Sequence, residues 1–382
     1  MKQLLSIVFA GLVALFLAKS LVYAQYSPTD VSASVNEQQG QKFLWGEGSP
    51  RCMVIPGGDP QAALDEAAAA ANIPLWSSSF TFNGKKFQYT MVGTNPNDGS
   101  ATSKVPVVII PLNIKFKSGG ALSAKEPVCG GTKSAVDLTL SSPLFQDYPF
   151  NPGGTNVGTT QYMDAFQRAN FWTTVSAKSP DYHVLLSPSV EKLQTITVPR
   201  SAGHTEAGPC AKIGTVDINF FNTRAKLLIS KLKIPKTSLP LFVTYNTFLT
   251  DGGQCCILGY HSVTSDNHTY SVAAYSDHGI FNVPIEDIHA MSHELGEWLD
   301  DPLVNNATPA WGHIGQVSGC QNNLEVGDPV TGIAFTAVLD GTTYHPEDLV
   351  FLPWFSRQVP SSSVNGFFTF LNTFAHPQAI CH

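Results

Sequence analysis

The stretch 285–302, IEDIHAMSHELGEWLDDP, places His293, Glu294 and Glu297 at the spacing His-Glu-x-x-Glu. On a helix, residues four apart lie one turn above each other, so both can point at one ion. A glutamate directly after the first ligand can reach water held at that ion. Zinc hydrolases of this pattern carry histidine at both ligand positions, whereas here the second is a carboxylate. Zinc accepts imidazole nitrogen and carboxylate oxygen alike, so the pair is chemically sound. Its extra negative charge would weaken the ion's Lewis acidity and leave its water less acidic. His289 stands one turn before His293. At about 100° per residue, His289, His293 and Glu297 fall within roughly 80° of one another, and Glu294 projects to a separate side. The plain alternative is an amphipathic surface helix whose polar flank happens to hold these residues.

A helix must position them. Pro284 stands near its expected start, with Glu286 and Asp287 in the first turn, and Pro302 stops it. Ile288, Met291, Leu295, Trp298 and Leu299 form one apolar stripe. Asp300 and Asp301 fall at the C-terminal end, where each exposed carboxylate is unfavourable by roughly 0.3–1 kcal/mol. A nearby cation would remove that conflict, and Arg357 could do so in place of a metal.

The run MSHELGEWLDDPLVN, the later LEVGDP and the strand-like CCILGYH resemble the plant Exordium, or phosphate-induced, family and related bacterial secreted proteins. The likeness covers roughly residues 240–330. It departs at Trp298 and Leu299, which replace smaller residues, and at the doubled Asp300-Asp301. The resemblance implies a zincin-like fold with His293 and Glu297 as metal ligands and Glu294 as general base. Glu325 or Asp328 would supply a further ligand from a loop, with Asp301 as competitor. His289 is either a ligand or a donor that orients a carboxylate. His261 would face a cleft if its strand borders the helix and could bind an oxyanion there, with simple packing as the alternative.

Other residues carry weaker signals. His313 lacks the spacing of a third histidine ligand. His204 and Glu206 read as part of a flexible polar loop. Asp164 and Arg168 read as an i, i+4 ion pair. No GxSxG elbow occurs.

Around these motifs, the chain reads as exported. Lys2, the apolar run Leu4 to Ala18 and Val22-Tyr23-Ala24 resemble a signal peptide cut after Ala24, with an uncleaved anchor as the alternative. No later apolar run is long enough to cross a bilayer. Charged residues are only 13% of the chain, against 31 Gly and 26 Pro, which suits a loop-rich extracellular protein. A formal net charge of −7 without a Lys/Arg cluster excludes nucleic acid as a partner. Seven cysteines without a CxxC pair point to three disulfides and one odd thiol, with a set of buried free thiols as the alternative. Cys255 and Cys256 are expected to take different partners, and Cys52 and Cys381 to tie the termini. Asn267 and Asn306 lie in glycosylation sequons.

The coarse organisation is a signal peptide at 1–24, a poorly ordered entry segment at 25–50 and one large α+β domain at 51–382. That domain has a weak internal boundary at 195–210, with the metal site in the half from 210 onward. DPQAALDEAAAAANIP reads as a short helix and FTFNGKKFQYTMVG as a hairpin turning at Asn83-Gly84. VPVVIIPLNIKFK reads as a strand, and TQYMDAFQRANFWTTV and VDINFFNTRAKLLISKLKI as helices. LPLFVTYNTFL, CCILGYHSV and TYSVAAYSD read as strands before the motif helix. The expected architecture is a mixed sheet packed on that helix, with a loop-rich C-terminal region.

Two functions fit. One is a secreted (extracellular or periplasmic) zinc-dependent hydrolase, peptidase-like, acting on a peptide or cell-surface polymer. The other is a non-catalytic extracellular binding protein or pseudo-enzyme with a structural ion. For Ca2+, Glu297, Asp300, Asp301, Glu325 and Asp328 could supply oxygens, while His293 counts against it. The sequence fixes no oligomeric state.

Overall fold

The computed structural model describes residues 72–377 and residue 381. The signal segment, the entry segment, Cys52 and the Ala-rich helix expected at 59–74 therefore fall outside the described residues, save 72–74. The architecture is α+β with mixed sheets.

The expected hairpin is present as Leu75–Phe82 and Lys85–Val92, with Asn83 and Gly84 in its turn. The largest sheet has seven strands built around Thr102–Phe116. Val107, Val108, Ile109 and Ile110 are all buried there, the apolar run expected of a strand covered on both faces. This strand pairs in parallel with His183–Val190, Gln194–Val198 and Leu239–Tyr245, and antiparallel with Ala121–Ser123. Thr269–Tyr275 follows in parallel beside Leu239–Tyr245, and Gly259–Val263 lies antiparallel at the edge. One contiguous apolar core runs from Ile73 to Phe374, and strands from both sides of 195–210 share this sheet.

The motif helix spans His289–Asp300 and packs against Thr269–Tyr275 and Gly259–Val263. Met291, Leu295, Trp298 and Leu299 are fully buried, each side chain contributing about 1.5–3 kcal/mol. Trp298 Nε1 donates to Thr269 Oγ1 at 3.1 Å, fixing the helix on its strand. Glu286 and Asp287 lie before the helix rather than in its first turn. Asp287 takes φ 44° and pairs with Ser276, which delays the start to His289.

Several expectations change. The cysteine run does not form one strand but two, Gln254–Ile257 and Gly259–Val263, in different sheets. Cys255 and Cys256 bond to each other across a cis peptide, their Cα atoms 3.0 Å apart. Cys381 pairs with Cys320, and Cys129 with Cys210. His204 and Glu206 lie in a strand, Gly203–Ala207, not in a loop. Asp164 and Arg168 do not pair. Arg168 donates to the carbonyls of Val157, Pro180 and Tyr182, while Asp164 accepts from Thr160, His183 and the Val184 N–H. Among the described residues, no helix is long and apolar enough to cross a membrane.

Candidate metal centre

All twelve residues of the motif helix are buried, so it is not an amphipathic surface helix. Its polar side is covered by the edge strand Gly259–Val263 and by segments around residues 324–328 and 345–348 that arrive from the C-terminal region. Two glycines permit the closest approaches. A Cβ at Gly327 would stand 2.4 Å from His293 Nδ1, and one at Gly259 would stand 2.6 Å from Glu294 Cγ. Any larger residue would drive the loop or the strand off the helix.

His293 Nε2 lies 3.1 Å from Glu297 Oε1 and 3.6 Å from Asp328 Oδ1. These three side chains offer ligand atoms within 4.8 Å of one another. On its other side, His293 Nδ1 lies 2.7 Å from Glu347 Oε2. A proton on Nδ1, donated to Glu347, leaves the Nε2 lone pair facing Glu297 and Asp328. Carboxylates that fix a metal-binding histidine in this way are a recurrent device. His289 Nε2 stands 3.4 Å from the second oxygen of Glu347, so His289 serves the orienting carboxylate and is not part of the converging set.

Glu297 is shared. Its Oε2 lies 3.5 Å from His261 Nδ1, and Glu294 Oε2 lies 3.6 Å from the same nitrogen. The helix-wheel expectation that Glu294 points elsewhere fails, because residues three apart are also neighbours on a helix face. His261 does border the helix, as its strand placement required. Glu325 Oε2 lies 4.0 Å from His261 Nε2, and Glu325 Oε1 accepts from Asn323 Nδ2 at 2.7 Å. Of the two loop acids, Asp328 thus joins His293, and Glu325 stands beside His261.

Five buried carboxylates, Glu294, Glu297, Glu325, Asp328 and Glu347, surround three buried imidazoles, His261, His289 and His293. Even with every histidine protonated, negative charge is left over, and an unpaired buried charge is costly. Proton uptake relieves it. Burial pushes the Glu294 carboxyl up to about 7, and pushes those of Glu325 and Asp328 up as well. Burial would also raise Glu297, but His293 and His261 overcome it and hold Glu297 well below the usual carboxylate range. Burial would lower His293, but Glu297 and Glu347 overcome it and hold the imidazole well above its ordinary value.

The buried atoms His261 Nε2 and Glu294 Oε2 have no hydrogen-bond partner. They lie on His261 and Glu294, which with Glu297 form a second convergent group beside the His293 set, and the excess negative charge across both fits a divalent cation. Imidazole among the donors suits zinc or a transition metal better than calcium.

Asp300 and Asp301 belong to neither converging set, although the His261 charge lowers the Asp301 carboxyl against the rise caused by burial. Asp300 accepts from Gln167 Nε2 and, at 3.3 Å, from Asn170 Nδ2. Asp301 accepts from the backbone N–H of Asn305 and Asn306 at 2.9 and 3.1 Å. Arg357 answers neither aspartate. Its guanidinium donates to the carbonyls of Trp354, Phe355 and Ala310. His313 is exposed, beside Cys320 and Cys381, whose sulfurs are consumed by their disulfide.

Glu347 was not expected from the sequence. The available signal was an acidic pair, Glu347-Asp348, leading into the apolar run Leu349-Val350-Phe351-Leu352 with no adjacent base. Compared with protein-family models, curated proteins and solved structures, the chain matches none.

Proposed function

We propose that the chain is an exported, zincin-like and Exordium-like zinc hydrolase, most akin to a peptidase, whose ion is held by His293, Glu297 and Asp328. The observation that carries this reading is the convergence of His293 Nε2, Glu297 Oε1 and Asp328 Oδ1, with Glu347 behind the imidazole. When bound, zinc supplies Lewis acidity to a scissile carbonyl and lowers the pKa of water. Glu294 follows the first ligand, and its buried Oε2 lacks a partner; it takes the proton from the attacking water and passes it to the leaving group. His261, between Glu294, Glu297 and Glu325, orients the two motif carboxylates. Export is supported by the N-terminal apolar run and by three disulfides among the described residues.

A second reading is favoured by one observation. Glu294 is only 4% exposed and His293 5%, so a polymer reaches them only if covering segments open. A non-catalytic extracellular binding protein with a structural ion would need no such opening. Metal analysis combined with Glu294→Gln separates the two. The hydrolase reading predicts retained zinc and lost peptide hydrolysis in that variant. Wild-type protein that is fully zinc-loaded and inert on a broad peptide library would favour the structural ion.

A further inference from the structure

We propose a second divalent-metal site, at the surface, formed by His278, Glu286, Asp287 and His345. These groups come from three segments: the loop after Thr269–Tyr275, the approach to the motif helix, and the chain just past the short strand Thr342–Tyr344. Glu286 is the shared element. His278 Nδ1 contacts its Oε2, and His345 Nδ1 lies 3.2 Å from its Oε1. The same His345 nitrogen lies 2.7 Å from Asp287 Oδ2. Ligand atoms of Glu286, Asp287 and His345 lie within 4.8 Å of one another.

Two carboxylates cancel a divalent charge; with His345 they converge, and His278, held on Glu286, would supply the fourth N or O donor that zinc accepts. The site is open, unlike the buried centre: the His278 side chain is 91% exposed and that of His345 is 23% exposed. Its backbone is also set. Asp287 exchanges hydrogen bonds with Ser276, and its Oδ1 accepts the N–H groups of Ile288 and His345. That leaves Oδ2 facing the imidazole. The exposed His278 ring is held on Glu286 by a direct hydrogen bond, which keeps its imidazole beside the shared carboxylate. Glu347, two residues past His345, holds His293. An ion here therefore ties the segment carrying that carboxylate to the start of the motif helix.

The site does not depend on the hydrolase reading, and its test keeps the two apart. Zinc binding is measured by equilibrium dialysis and elemental analysis in a His293→Ala/Glu297→Ala background. About one equivalent should remain and should vanish when His278→Ala and His345→Ala are added. Equal zinc with and without those two substitutions would overturn the proposal. Should that background fail to fold, histidine carbethoxylation of the wild-type chain serves, read by mass spectrometry. Added zinc should slow labelling of His278 and His345 several-fold and leave exposed His313 unchanged. Unprotected His278 at saturating zinc would equally overturn it.

Discussion

Within the helix His289–Asp300 and the residue after it, four carboxylates leave water, and the middle and the end treat them differently. At the end, Asp300 meets the amides of Gln167 and Asn170, and Asp301 meets the backbone N–H groups of Asn305 and Asn306. Those are hydrogen-bond donors without charge, and they close the chain's exit from the helix. In the middle, Glu294 and Glu297 meet imidazoles and further carboxylates, Glu297 also accepts the Gly327 N–H at 3.3 Å, and Glu294 Oε2 and His261 Nε2 remain unpartnered. The end is finished by the protein alone. The middle keeps more buried carboxylates than imidazoles to answer them. Acidic character by itself therefore does not mark an ion site; what distinguishes one is the kind of partner around the acid.

The sharpest break of that contrast is a paired substitution. Glu297→Ala removes the shared ligand and should abolish tight zinc binding, whereas Asp301→Asn should leave zinc content at the wild-type level. Elemental analysis after dialysis against a weak chelator reads both. Zinc lost equally from the two variants would merge the regions and end the distinction.

Next in size is a pH effect at the helix end. Burial pushes the Asp300 carboxyl up to about 8, against the lowering pull of Gln167 and Asn170. The unfolded chain releases that proton near pH 4. Between about pH 4 and about pH 8 the folded state holds a proton that the unfolded state lacks, so this residue's contribution to stability falls as pH rises. The loss across the window is on the order of a few kcal/mol. Asp300→Asn should flatten it, as urea unfolding at stepped pH would reveal. A variant whose stability tracks wild type throughout would show that Asp300 is ionised when folded.

A smaller effect should come from Glu347→Gln. The amide can still touch His293 Nδ1 but no longer carries the charge that sharpens it. Zinc affinity should weaken about 10–100-fold. Competition with a fluorescent chelator measures it, and an unchanged affinity would deny Glu347 its orienting role.

What the sequence made legible follows physical range. Alternation and a turn pair gave the hairpin around Asn83-Gly84, and a β-branched run gave Thr102–Phe116. Spacing gave the helix and the neighbourhood of His293 and Glu297, since four residues on one helix define their own geometry. Glu347 was beyond reach, because it arrives from 54 residues away and no local pattern encodes that meeting. The covered polar flank was illegible for the same reason. In sequence it resembles a solvated face, and only tertiary contacts from Gly259–Val263 and residues 324–328 bury it. The bond between Cys255 and Cys256 runs against the expectation of different partners, which rested on the strained local backbone that bridging adjacent residues demands.

The most direct test is a crystal of the zinc-loaded chain with anomalous diffraction recorded on both sides of the zinc absorption edge. The account predicts an edge-specific peak between His293 Nε2, Glu297 Oε1 and Asp328 Oδ1, in bonding contact with all three. Zinc-saturated crystals without density at that point, and with His293 hydrogen-bonded directly to Glu297, would contradict it.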